Sequence, residues 1–138
     1  MSSLNAYNLI MTRLAEWVET PVSEENDGFS TPDVPAPFVY VEVVGDLLEQ
    51  QTVGAPGNNL WLESGVVYLH VMTPNGAGSR DARGIAERLT MLFRERPLED
   101  LHPRQMSIGA GDPGRSFGGY YAMTATITWD RQDYTTNP

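Results

Sequence analysis

At 138 residues the chain is sized for one domain, residues 1–138, that buries roughly two-thirds of the surface its unfolded form exposes. The absence of cysteine excludes disulfide frameworks, thiol nucleophiles, zinc fingers and iron–sulfur clusters. Eighteen acids against nine bases give a net charge of −9, which argues against a broad grip on nucleic-acid phosphates, favours solubility, and lets DNA pass a nearby surface without sticking. No N-terminal stretch joins basic residues to an apolar run, and no run approaches the roughly 20 apolar residues of a membrane span. The expected class is an intracellular soluble α/β-type domain.

Taken in order, Tyr7, Ile10, Leu14, Trp17 and Val18 recur at helical spacing and predict a first helix over Ser3–Glu19, capped by Ser3 and ended by Pro21. Thr20–Pro37 has four prolines and the acids Glu24, Glu25 and Asp27, and reads as a long loop without a packed element. Phe38–Val44 is a strand. Gly45-Asp46 is a tight-turn signal, and Leu47–Val53 is a second, more polar strand. The segment 54–59 is a hairpin loop into a long strand, Leu60–Met72. There Val67, Leu69 and Val71 share one face, and Val66, Tyr68, His70 and Met72 the other.

Pro74, Gly76 and Gly78 break that strand. Ser79 is placed to cap a helix over about 79–95, whose stripe is Ala82, Ile85, Ala86, Leu89, Leu92 and Phe93. Leu98–Pro103 reads as an irregular link and Arg104–Ile108 as a short strand. Gly109–Gly119 is a loop with five glycines in eleven residues, and Gly119–Arg131 is the last strand. In that strand the large residues Tyr121, Met123, Ala125, Ile127 and Trp129 alternate with Tyr120, Ala122 and three threonines, as in an antiparallel sheet with one covered face. A polar tail, 133–138, follows. The order α-β-β-β-α-β-β predicts an α+β domain: a mostly antiparallel sheet of about five strands with two helices on one face.

The chemistry is sparse. Gly76-Ala77-Gly78 stands where a dinucleotide fingerprint begins, but Asp81 takes the third glycine's place and no P-loop lysine follows. His70 and His102 lack a second histidine at ligand spacing, and Glu24, Glu25 and Asp27 lack the EF-hand pattern. The acids read as a solvated loop and the histidines as packed or surface imidazoles. There is no G-x-S-x-G elbow, and no Ser-His-Asp set can be chosen without arbitrariness. No catalytic residue, cofactor or metal is expected. The loops 20–37, 54–59 and 109–119 instead suggest an assembly protein. Its expected contact residues are Gly54, Pro56, Gly57, Asn58, Asn59, Gly111, Asp112, Pro113, Arg115 and Phe117. Segments 20–37 and 109–119, with few apolar anchors, are expected to be mobile until they meet a neighbour.

The runs PFVYVEVVGD, GAPGNNLWLESGVVYLHVMTPNGAG, the Ala/Arg-rich helix ending LFR and the closing GGYYAMTATITWDRQD resemble the tail-terminator-like neck proteins of tailed phages and prophages. The resemblance spans about residues 5–133 and is one of element order and turns. It implies a non-enzymatic virion protein of the tail or neck, assembled in the host cytoplasm. Such a protein closes a ring with copies of itself, typically a hexamer, on the end of the tail tube. It stops polymerisation of the tail tube protein and meets the head connector, with DNA passing through unread. A head-side adaptor or other tail-completion protein is the alternative within this class. A small ligand-binding module using loops 54–59 and 109–119, or an enzyme, is the alternative outside it.

Overall fold

The computed structural model describes residues 3–76, 78–114 and 117–135. The element order is α1 (Leu4–Leu14), β1 (Val22–Ser23), β2 (Phe38–Gln50), β3 (Leu60–Pro74), α2 (Arg80–Met91), β4 (Leu101–Ala110) and β5 (Tyr120–Tyr134). The strands form one sheet in the order β1-β2-β3-β5-β4. β1 is parallel to β2, and every other pairing is antiparallel. This is the expected α+β architecture, with both helices on one face.

The core lies between that face and the helices. Period-two alternation sends Val39, Val41, Val43, Val67, Leu69, Val71, Met123, Ala125, Ile127 and Trp129 into it. Ala6, Ile10 and Leu14 of α1 and Ala82, Ile85, Ala86 and Leu89 of α2 meet them. Arg13 ties the two helices by donating to the carbonyls of Leu92, Arg96 and Pro97 at 2.7, 3.2 and 3.4 Å. The Ser3 hydroxyl caps α1 by accepting the Ala6 N–H at 3.2 Å. Ser3 is itself held by Glu63, which is fully buried in β3 and accepts both its N–H (2.7 Å) and its hydroxyl (2.8 Å).

Several boundaries differ from the sequence reading. The two strands 38–44 and 47–53 are one strand, β2, and Gly45-Asp46 is a bulge, not a turn. The pairing passes from Gly45↔Gly65 to Leu48↔Glu63, so β2 accommodates one extra residue. A glycine at position 65 is required there: a Cβ would lie 2.5 Å from the Trp129 ring and 2.7 Å from the Val44 carbonyl. α1 stops at Leu14, not Glu19, because the chain must turn back to lay β1 beside β2. α2 is likewise shorter than 79–95, and the Ser79 side chain makes no capping bond; its hydroxyl accepts from Arg83 Nε at 3.3 Å. The link 98–103 is partly strand: β4 starts at Leu101 and holds Pro103 at a register shift on the sheet edge, where a missing N–H is tolerated. β5 runs on through Asp133 and Tyr134, residues read as tail.

The segment 20–37 contains a packed element after all. Val22 and Ser23 pair with Val39 and Tyr40, and Ser23 is fully buried. The acids are structural rather than simply solvated. Asp27 accepts the N–H groups of Glu24 and Phe29 at 2.7 and 2.9 Å, and Glu24 accepts the Tyr7 hydroxyl at 3.1 Å. Glu25 accepts the Val43 N–H at 2.7 Å.

Candidate functional site

The sheet face turned away from the helices carries the residues of opposite parity: Glu42 on β2, Tyr68 and His70 on β3, Thr124 and Thr126 on β5 and Ser107 on β4. Alternation alone places them side by side, since His70 pairs with Tyr40 on one side and Thr124 on the other. His70 Nε2 lies 2.6 Å from Glu42 Oε1, and its Nδ1 lies 2.7 Å from Thr124 Oγ1. With a neutral imidazole, Nε2–H donates to the carboxylate and the threonine hydroxyl donates to Nδ1. The ring stacks between Tyr40 and Tyr68, each with its centroid 6.0 Å away. Burial lowers the His70 pKa below its usual value, while the hydrogen bond and charge of Glu42 and the charge of Asp112 oppose the shift.

The strand-to-loop passage 109–114 folds over this cluster. Gly114 N–H donates to Glu42 at 3.2 Å, and Gly111 N–H donates to the Ala122 carbonyl at 3.3 Å. Gly111 packs directly on Thr124, where any Cβ would collide with the hydroxyl, so only glycine fits. A groove of about 570 Å³ opens over the cluster, lined by Glu42, His70 and Thr124 themselves together with Tyr68, Ser107 and Asp112.

Carboxylate, imidazole and hydroxyl in line are the components of an activated nucleophile. The sequence reading missed them because they are distant in the chain and meet only through strand register. Their environment restrains the chemistry. Thr124 is 6% exposed and sits beneath Gly111. The cluster holds the glycine loop to the sheet. Among the described residues no three His, Cys, Asp or Glu side chains gather as a metal site. The Gly76-Ala77-Gly78 turn has positive φ at both glycines, and Ala77 lies outside the described residues.

The sequence-selected loops do not converge. Gly54, Pro56, Gly57, Asn58 and Asn59 form the tip of the β2–β3 hairpin. Asn59 is buried, and its side-chain oxygen accepts from Thr52 and Ala55 at 3.3 and 3.2 Å. Gly111, Asp112, Pro113 and Phe117 lie at the other end of the sheet, beside His70 and Ala122. The ten residues from Leu60 to His70, at about 3.3 Å each, separate the two groups by roughly 33 Å. Arg115 lies outside the described residues. Phe117 is an apolar anchor that the glycine-rich composition concealed. It packs edge-on to Phe38 at 4.9 Å, and Phe29, from the proline-rich segment, packs on the same ring at 4.9 Å. Both long loops are thus pinned to one aromatic cluster within the monomer, contrary to the expectation of few anchors.

Beyond the Gly45 bulge the sheet continues as an arm. Residues 44–50 of β2 are all exposed, including Val44, Leu47 and Leu48. Residues 60–63 of β3 and 131–134 of β5 pair alongside. The arm is rooted by Arg131, which donates to Glu63 at 3.2 Å and to Asp100 at 3.1 Å.

No protein-family model matches the sequence, and no curated protein matches it. Several solved structures are similar; one of them matches over 96% of this protein and 97% of its own length, with a TM-score of 0.59 and 20% identity. That likeness extends across the whole α+β domain, and at this identity it bears on the fold alone.

Proposed function

We infer that the protein is a structural component of a phage or prophage tail: a terminator that closes a ring of its own copies, a hexamer in the family it resembles, on the end of the tail tube. The ring occupies the surface the next tube ring would use, so polymerisation stops, and the opposite side is presented to the head connector. This needs complementary strand edges and loops, not turnover. The observation that carries the reading is the three-stranded arm past Gly45. A strand exposed on both faces over residues 44–50, with Val44, Leu47 and Leu48 open to solvent, adds nothing to its own core and is suited to a partner protein. The sequence resemblance supports the place in the tail, and the acidic balance suits a ring through which DNA slides.

The test adds the purified protein to polymerising tail-tube protein of the same phage and measures tube length by electron microscopy. Uniform arrest of growth is expected. Unregulated tubes with the protein bound only to the head connector place it on the head side of the neck. Binding to neither component removes the neck reading.

A further inference from the structure

Among the described residues two stretches of sheet edge are left open, and they match. On the β2 side, β1 covers Val39 and Tyr40 and Glu25 takes the outward Val43 N–H, so the edge is closed as far as Val43. The exposed run begins at Val44, where this cover stops. Gln51 N–H points inward to the Leu60 carbonyl, so by strand alternation Leu48 and Gln50 turn their N–H groups outward. On the β4 side, Gly111 N–H points inward to Ala122. Gly109 and Ser107 therefore face β5, and Met106, Ile108 and Ala110 turn theirs outward. Natural proteins blunt long edges. Here the first half of each is blunted, by β1 with Glu25 and by the Pro103 bulge, and the second half is not.

We propose that the open β2 edge of one copy, Val44–Gln50, pairs with the open β4 edge of the next, Gln105–Ala110, extending the sheet from subunit to subunit. The successive antiparallel pairings β2-β3-β5-β4 make the two edge strands run in opposite directions, so a head-to-tail neighbour in the same orientation presents its β2 antiparallel to β4. Such a contact is heterologous, the kind that generates a ring when its rotation closes and a filament when it does not, and the ring is the outcome the assembly reading requires. The β4 edge is flanked by a groove of about 580 Å³ between it and the end of α2, lined by Met106 and Ile108 with Arg94, Arg104 and Glu95. Leu48 pairs with Glu63 on the helix side of the sheet, so alternation turns Leu48 toward the apolar lining and Asp46 toward the arginines, of which Arg104 already pairs with Asp130, while Leu47 and Glu49 fall on the opposite face. This deepens the assembly reading above and rests on it.

The experiment uses Leu48→Pro and Ala110→Pro, each of which removes an outward N–H and leaves the inward ladder intact. Both side chains are exposed, and near-native circular dichroism and melting confirm folding of each. Sedimentation of the unmodified chain shows a closed oligomer, and each variant alone runs as a 15.3 kDa monomer or associates at least about tenfold more weakly. Mixed together, the two variants form a dimer and nothing larger, because one intact edge of each kind remains. A monomeric unmodified chain, normal assembly of either variant, or a mixture without dimer overturns the proposal. Assembly through these edges with no effect on tube length removes the terminator reading and leaves the edge pairing. Tube-length control by proline variants that assemble normally does the reverse.

Discussion

His70 Nε2 and Glu42 Oε1 lie 2.6 Å apart on the helix-free face of the sheet, with the imidazole buried and the carboxylate reaching Gly114. The bond opposes but does not overcome burial, so the folded His70 pKa lies below the 6.5 of an exposed imidazole. The folded state then binds fewer protons than the unfolded one. His70 contributes stability that is fully present above pH 6.5 and is lost as pH falls from 6.5 through the folded pKa. Imidazole chemical shifts followed through pH are expected to titrate below 6.5, and urea midpoints to fall over the same window. A His70 pKa above 6.5 would contradict this account.

Glu63 is fully buried and pairs with Arg131 while holding Ser3. Arg131→Ala leaves that carboxylate without its cation and is expected to destabilise the protein by about 3–5 kcal/mol. Glu63→Gln keeps hydrogen-bonding atoms and removes the charge, so it is expected to cost less. Denaturant unfolding of the two variants ranks them; equal losses would show that the charge itself is immaterial.

Gly65→Ala drives a methyl into the Trp129 ring and the Val44 carbonyl, and overpacking of this kind costs about 1–3 kcal/mol. Gly109→Ala meets nothing within 4 Å and is expected to stay within about 0.5 kcal/mol of the parent. Thermal melting of the pair separates a steric requirement from a general intolerance of glycine substitution.

Leu89→Asp places a carboxylate in the middle of the helix–sheet core, where Leu89 has no exposed surface. It costs several kcal/mol, comparable with the whole stability of a domain. Loss of the cooperative unfolding transition is expected. Glu25, one of the acids whose sequence context reads as a solvated loop, holds the Val43 N–H, so Glu25→Ala is expected to cost about 0.5–1.5 kcal/mol through that lost bond. It also uncovers more of the β2 edge and should raise self-association, which light scattering would register.

The sequence by itself determined the domain class, both helices and the faces of the long strands. These follow from periodicity, and periodicity is set by each segment's own backbone geometry. Val67, Leu69 and Val71 had to face the helices once β3 formed, and Ala82, Ile85 and Leu89 had to face the sheet. What only the tertiary structure decided depends on residues far apart in the chain. Gly45-Asp46 has the local chemistry of a turn, but the pairing of β2 with β3 and the Trp129 ring over Gly65 keep the strand running through a bulge. Phe29 and Phe117 look like strays in loop composition until Phe38 brings them together. Glu42, His70 and Thr124 become one cluster through strand register alone. Which stretches of edge stay open was likewise invisible in the sequence. Closure depends on where β1 and Glu25 land on β2, and a local pattern carries no information about contacts across 17 residues and more.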